Sequence, residues 1–493
     1  MRDSEVTKGA GKAGVRTSVV VAMACAAEFM VVMDASIIAV ATPTIGRDLQ
    51  LSPDALSWVV NAYVLLFAGG MLVGGRLGDL FGLRRVFVAA TVVFAVSSLA
   101  AGLAAEGWQL IAARAVQGLG GAALAPVSLA LISDALPEGP MRSRAVGVWT
   151  AVGVAGGAVG NVVGGTLTQL ADWRWVFWLN VPLGVLAVAA SAIVLQGPTT
   201  AQNSDLPGTR TRRLDLRGAA LATAGLVIAS WAISGTEITS AATLSSGWPR
   251  LGVLVIGTIL LVAFVRSQRR PAHTRGTPRA DDTVKVATDP LLSLGLFAHR
   301  GISVGTVTML LAGATLMPMW FYLSLLMQNT FGYDALQTGL GFLPHAAVLI
   351  AVGAGLAPWL MGRVSSRLLV VTGCLITATG FAWQGITATD TDGAYLSVIL
   401  GPAIVITIGA GLLNTPLTTA ILAGATQDDA GAVSGLLNTT KQVGAAIGLA
   451  ALTALISTTG TSDYRPAFLT MAALMTLAAA SSRLLPAPKK TTA

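Results

Sequence analysis

Four charged residues stand inside long apolar runs of this sequence: Glu28, Asp34, Arg114 and Lys441. On insertion scales each costs about 2.5 to 3.5 kcal/mol at mid-membrane, so all four, ionised and unpaired, cost roughly 10 to 14 kcal/mol. That rivals the ~5 to 15 kcal/mol total stability of a typical domain. They must therefore be paired, neutralised or turned toward a wet cavity. A carboxylate beside a guanidinium suits reversible proton binding, because desolvation favours the protonated acid and the cation favours the ionised one. Asp34 and Arg114 have the residue types for such a pair. Glu28 reads either as a substrate-facing carboxylate or as a neutral packing residue.

The elements that carry these charges follow from composition. Of 493 residues, 54% are hydrophobic and 11% charged, well under the roughly 25% charged residues of a soluble domain. A hydrocarbon layer ~30 Å thick needs about 20 apolar residues in a helix. Fourteen runs qualify, near residues 17–43, 54–74, 86–104, 109–134, 145–170, 174–195, 217–238, 249–266, 301–327, 335–357, 367–387, 395–423, 428–457 and 466–485. The sequence thus predicts an all-α polytopic membrane protein with both termini on one face. Placing the N-terminus in the cytoplasm puts 25 of the 31 Lys and Arg on cytoplasmic segments, as the positive-inside rule requires. Polar stretches at 196–216 and 267–300 divide the chain into a six-helix bundle (1–195), linkers with two further helices and a basic cytoplasmic loop (196–300), and a second six-helix bundle with a short tail (301–493).

Depth along these helices relates the charges to one another. At 1.5 Å per residue, Asp34 lies ~13 Å and Arg114 ~8 Å below the outer ends of spans 1 and 4, so the two can face across the bundle. Glu28 is offset from Asp34 by about 120° around the helix, which puts the two acids on different faces. The second half has no Asp or Glu in the interior of its spans, Asp428 and Asp429 standing at the very start of the run 428–457. Its pocket is expected to use neutral polar and aromatic groups, with Trp320, Tyr322, Gln328, Asn414, Asn438, Lys441 and Gln442 as candidates. Lys441 stands out because its charge needs a partner or a cavity.

Other function classes are disfavoured. The net charge of +8 is placed by its basic clusters just inside apolar spans, where topology and anionic lipid account for it, so no nucleic-acid partner is expected. Cys25 and Cys374 fall in spans and His273, His299 and His345 are scattered, which gives no metal-ligand spacing or disulfide framework. The chain shows no GxxxxGK[ST] loop for ATP, and neither a cofactor nor a metal is expected. An enzyme would need a clustered nucleophile, base or metal set. The first run resembles a signal peptide, but Glu28 and Asp34 inside it argue for retention.

Glycines mark close approaches and turns. In GGRLGDLFGLRR, residues 74–85, Gly75 permits close helix approach and Gly82 a tight turn, with Asp79 between them and Arg84 and Arg85 at the headgroup level. Gly355 and Gly362, followed by Arg363, repeat the spacing in the second half. ARAVQGLGGAA at 113–123 carries Arg114, Gln117 and Gly118. GGAVGNVVGG at 156–165 sets Gly156, Gly160 and Gly164, with Gly165 following, on a stripe suited to close packing in membranes. DASIIAVATP at 34–43 starts on Asp34.

These motifs resemble those of the major facilitator superfamily, and specifically its fourteen-span drug/proton antiporter branch. DWRWVFWLNVPLG at 172–184 and SGLLNTTKQVGAAIG at 434–448 are also similar to that branch. The resemblance implies two six-helix bundles of major facilitator type plus two inserted helices. It also implies a gating role for Gly75, Asp79, Gly82, Arg84 and Arg85, and an antiporter-motif role for the span 5 glycines. Asn161 stands where the Pro usual after the central glycine would be, so the resemblance leaves open whether the kink expected of that motif is kept. The implied function is proton-coupled export of a hydrophobic, drug-like compound or antibiotic across the cytoplasmic membrane by alternating access, in a lipid environment and as a monomer. Asp34, Arg114 and Glu28 are the expected proton-coupling residues, and Gln117 joins the cavity candidates. The alternatives are an exporter of a lipid or other metabolite on the same scaffold, and a non-transporting membrane sensor or assembly protein.

Overall fold

The computed structural model describes residues 2–136, 140–194, 215–234, 247–268, 294–389, 395–423, 430–459 and 463–486. Among them the structure is helical throughout, without strands. Eleven helices are long and apolar enough to cross a membrane, and Arg217–Ile233 and Leu251–Ser267 are shorter apolar helices. With the 18-residue helix Arg465–Ser482, the helical segments match the fourteen runs of the sequence.

The first bundle contains α1 (Arg2–Asp48), α2 (Pro53–Phe81), α3 (Leu83–Gly102), α4 (Gly107–Ala135), α5 (Pro140–Leu170), α6 (Trp175–Trp178) and α7 (Asn180–Val194). Local chemistry sets their ends. Ser52 caps α2 by accepting from the Ala55 N–H at 3.2 Å, and Pro53 follows at the first position, where its missing N–H costs nothing. Gly82, at φ 87°, ends α2 and starts α3 without an intervening loop, a backbone conformation that favours glycine. Glu106 and Gln109 form a capping box on α4. Span 6 differs from the single run in the sequence. Pro182 cannot donate an N–H back toward Trp178, and the helix is interrupted at Leu179 between α6 and α7.

The second bundle contains α10 (Arg300–Leu325), α11 (Ala335–Gly341), α12 (Leu343–Ile350), α13 (Ala357–Met361), α14 (Ser366–Thr387), α15 (Gly401–Leu422), α16 (Ala430–Thr459) and α17 (Arg465–Ser482). Helices α11 to α13 form one span through a π-helical stretch at Ala351–Leu356. Between the bundles, α8 (Leu216–Ser234) and α9 (Gly247–Ser267) pack on each other through Gly225 against Leu261 and Gly257 against Ala229. Leu226 of α8 joins Trp58, Ala62 and Leu65 of α2 and Ala446 of α16 in one apolar cluster. The inserted pair therefore lies along the seam where the two bundles meet.

The ends of the bundle have distinct linkages. At one face, called here the Asp48 face, Asp48 accepts from Trp173 Nε1 at 2.9 Å and from Arg174 Nη1 at 3.1 Å, and Arg174 Nη2 reaches the Ala104 carbonyl at 3.4 Å. These bonds tie three helix connections together. The opposite end carries the α2–α3 turn and is called the Gly82 face.

Candidate functional site

Asp34 and Arg114 meet inside the first bundle. Arg114 Nη1 donates to Asp34 Oδ2 at 2.6 Å, and the two side chains are 1% and 0% exposed respectively. Helix α4 aligns Gln117 one turn beyond Arg114, and its Nε2 donates to Asp34 Oδ1 at 2.8 Å. From α7, Asn180 Nδ2 donates to the same oxygen at 2.8 Å. Ser98 of α3 closes the network by accepting from Gln117 at 3.2 Å and Asn180 at 3.0 Å while donating to the Phe177 carbonyl at 2.8 Å. Arg114 is further held by Gln117 Oε1 at 2.8 Å, the Val59 carbonyl at 3.2 Å and the Tyr63 ring, whose centroid lies 4.2 Å from its Cζ. A charge pair removed from water needs such hydrogen bonds on its remaining donors and acceptors. Four helices supply them.

Helix α1 is fixed against α5 by the glycine stripe. A Cβ at Gly156, Gly160 or Gly164 would fall 2.9, 2.8 or 2.9 Å from the carbonyl oxygens of Phe29, Met33 and Ile37. Both rows step by four residues, so the two backbones run in contact on one face each. Asn161 lies in an unbroken α5 and is buried. Glu28 also turns toward α5, with Oε1 3.3 Å from the Cβ position of Gly153. Its Oε2 is buried without a hydrogen-bond partner, in contrast to Asp34, whose two oxygens are both bonded.

The two bundles touch at the Asp48 face. Gln328 Nε2 donates across to the Val40 carbonyl at 2.9 Å. Gly165 abuts the Ala335 carbonyl and Gly339 abuts the Asn161 carbonyl, each so closely that a Cβ would collide. Trp320 packs edge-on to Phe342 at 5.2 Å and near His345 at 6.1 Å. Tyr322 bonds Thr453 at 2.9 Å in the second core. Gln328, Trp320 and Tyr322 thus serve packing and inter-bundle contact in this state, and none lines the cavity below. In the α2–α3 motif, Arg84 is half-buried and Arg85 exposed; Gly75 and the Asp79 side chain lie outside the described residues.

A cavity of about 450 Å³ opens between α10, α15 and α16, lined by Met309, Asn414, Thr415, Thr418, Thr419, Leu437, Asn438 and Lys441. Thr419 is exposed near the Gly82-face end of α15, so the cavity extends toward that face. Asn414 and Thr418, like Asn438 and Lys441, stand on single helical faces by their spacing. Gln442 is half-buried beside Lys441 and is not part of the lining.

Asn180, Ser98 and Tyr63 entered the charge network without having been singled out in the sequence. A polar residue inside an apolar run was the available signal for each, and Asn180 falls within the quoted DWRWVFWLNVPLG stretch.

Two helical bundles, a paired charge inside one and a cavity in the other define a membrane transporter of the major facilitator type. The chain matches the family model described as Major Facilitator Superfamily over residues 24–245 and 214–449, and it belongs to that superfamily. It is 43% identical to the cephamycin export protein CmcT of Amycolatopsis lactamdurans, over 98% of this chain and 97% of that protein. It is 35% identical to the puromycin resistance protein pur8 of Streptomyces alboniger, over 89% of this chain and 81% of that one. Among solved structures, the POT family transporter PepTSo superposes with a TM-score of 0.69 at 16% identity, covering 95% of this chain and 97% of that one. A D-xylose-proton symporter gives 0.65 at 14% identity, covering 95% and 98%. At those identities the likeness is one of fold.

Proposed function

We propose that this protein is a proton-coupled antiporter that carries a hydrophobic, drug-like compound or antibiotic out across the cell membrane by alternating access. The observation that carries the reading is the ionisable pair Asp34–Arg114 at 2.6 Å inside an apolar bundle. Export as the direction is supported by the cephamycin export and puromycin resistance relatives. The distribution of Lys and Arg supports assigning the Gly82 face to the cytoplasm and the Asp48 face to the exterior. With the Asp48 face sealed by Gln328, Gly165 and Gly339, the structure is then an inward-facing state, and its cavity is where cargo loads. The bundles at 1–195 and 301–493 rock as units, with 196–300 as an insert along their seam, and the monomer in lipid is the working unit.

In this scheme Asp34 exchanges a proton, and Arg114 holds its charge when the proton has left. Gln117 and Asn180 are amides that keep the carboxylate oriented in either state. Each unit of pH gradient supplies ~1.36 kcal/mol per proton, and 100 mV of potential adds ~2.3 kcal/mol, enough for one proton to drive a substantial cargo gradient. Glu28, with an unbonded oxygen, is the second acid of the same bundle able to take a proton.

The full burial of Asp34 and Arg114 favours a second reading, a permanent ion pair that only orients α1 and α4. Everted vesicles offered a panel of dyes and antibiotics in the outer medium separate the two. Wild-type vesicles accumulate cargo when their interior is acid and do not without a gradient, whereas Asp34→Asn inserts and accumulates none. Accumulation by Asp34→Asn that still follows the gradient leaves only the ion-pair reading.

A further inference from the structure

We propose that the cavity at Lys441 is a binding site for the carboxylate of a monoanionic organic acid, so that the exporter's cargo is an amphipathic anion. This rests on the export reading and names its cargo class.

The backbone around Lys441 is immobilised by close packing. A Cβ on Gly313 would collide with the Lys441 carbonyl, one on Gly444 with the Leu310 carbonyl and one on Gly448 with the Ala314 carbonyl. Helices α10 and α16 therefore meet backbone to backbone along this stretch, and α16 cannot carry Lys441 away from the cavity it lines. Ion pairs such as Arg114–Asp34, Arg174–Asp48 and Arg174–Asp172 hold charge elsewhere, and among the described residues none involves Lys441. Among the described residues the cavity lining contains no Asp or Glu. A lysine at this depth has every reason to be paired, and the space in front of it is where its partner fits.

The neighbouring groups select the kind of partner. Thr415 already donates its hydroxyl to the Gly353 carbonyl at 3.2 Å, and Thr419 to the Thr415 carbonyl at 2.9 Å. Asn414 uses one N–H on the Ala410 carbonyl at 3.0 Å, which leaves its second. Donors available to a ligand are thus the ammonium, the amides of Asn414 and Asn438 and the Thr418 hydroxyl. Two carboxylate oxygens match one ammonium with one or two amide N–H groups. A single positive charge balances a monoanion, whereas a dianion such as a phosphate monoester leaves a charge uncompensated in a site of low polarity. Met309 and Leu437 supply an apolar wall, and about 450 Å³ lies within the roughly 300–1,000 Å³ of small-molecule sites.

The test is equilibrium binding to the full-length protein in lipid nanodiscs at pH 7, without a gradient, using dansylglycine and its neutral counterpart dansylglycinamide. Wild type binds the carboxylate at least tenfold tighter than the amide. Lys441→Met loses that preference while keeping its amide affinity, and Lys441→Arg retains it. Equal affinity of wild type for the two probes, including binding of neither, overturns the proposal, as does a preference that survives Lys441→Met. If Lys441→Met yields no monodisperse protein, the wild-type comparison decides alone. Asp34→Asn leaves the preference intact, so loss of proton coupling and loss of anion recognition are read separately.

Discussion

The two bundles handle buried charge in opposite ways. In the first, Asp34 and Arg114 are closed in on each other, with Gln117, Asn180 and Ser98 filling nearly every remaining donor and acceptor. In the second, Lys441 stands at the edge of open volume with amides beside it and no acid among the described lining residues. A charge satisfied internally suits a role that must persist through the transport cycle, such as holding and releasing a proton. A charge satisfied from outside suits recognition. The same division appears in the glycines. Gly156, Gly160 and Gly164 weld α1 to α5 within one bundle, whereas Gly165 and Gly339 form a contact between bundles, the one that the proposed alternating-access cycle would open.

This contrast sets an order of expected effects. Arg114→Met leaves the Asp34 carboxylate buried without its cation, and removing one partner of such a pair costs about 3–5 kcal/mol. Denaturation in detergent should show a loss of that size, with part of it recovered in Asp34→Asn/Arg114→Met. An undiminished stability of Arg114→Met would mean that the network is not what holds the first bundle together. Next in size is Gly165→Val, whose side chain cannot fit against the Ala335 carbonyl. It should shift the protein toward the outward-open state, read as faster reaction of an added Ala335→Cys thiol with an impermeant maleimide in intact cells. Unchanged labelling would place the seal elsewhere. The smallest effect is expected for Gln328→Ala, which removes one inter-bundle hydrogen bond of about 0.5–1.5 kcal/mol. The same labelling should rise roughly two- to tenfold, well short of Gly165→Val.

Much of the architecture was legible in the sequence because membrane helices obey a length rule and a charge rule that are local. The fourteen runs, the turn at Gly82 and the isolation of four charges required no knowledge of packing. Depth arithmetic put Asp34 and Arg114 in the same half of the bundle, and they lie 2.6 Å apart. What the sequence hid was orientation around each helix axis. A helix that is apolar on all sides has no stripe to mark its inward face, so Asn180 and Ser98 looked like any polar residue in a span. Gln328 looked like a cavity group and instead bonds the Val40 carbonyl of the other bundle. Trp320 and Tyr322 were equally ambiguous, and their partners, Phe342 and Thr453, become neighbours only through the fold. Pro182 accounts for the interruption at Leu179, but nothing in a linear reading connected that break to the charge network that Asn180 completes.

The role assigned to Asp34 is open to direct observation as proton release from purified protein. A dye that accumulates in the wild-type vesicles is added to unbuffered detergent-solubilised protein at mildly acidic pH, and the pH of the solution is followed. Wild type and Glu28→Gln should release protons on binding, and Asp34→Asn should release none while still binding the dye. Release from Asp34→Asn equal to that of wild type would contradict the account and leave Asp34 as one half of a structural ion pair.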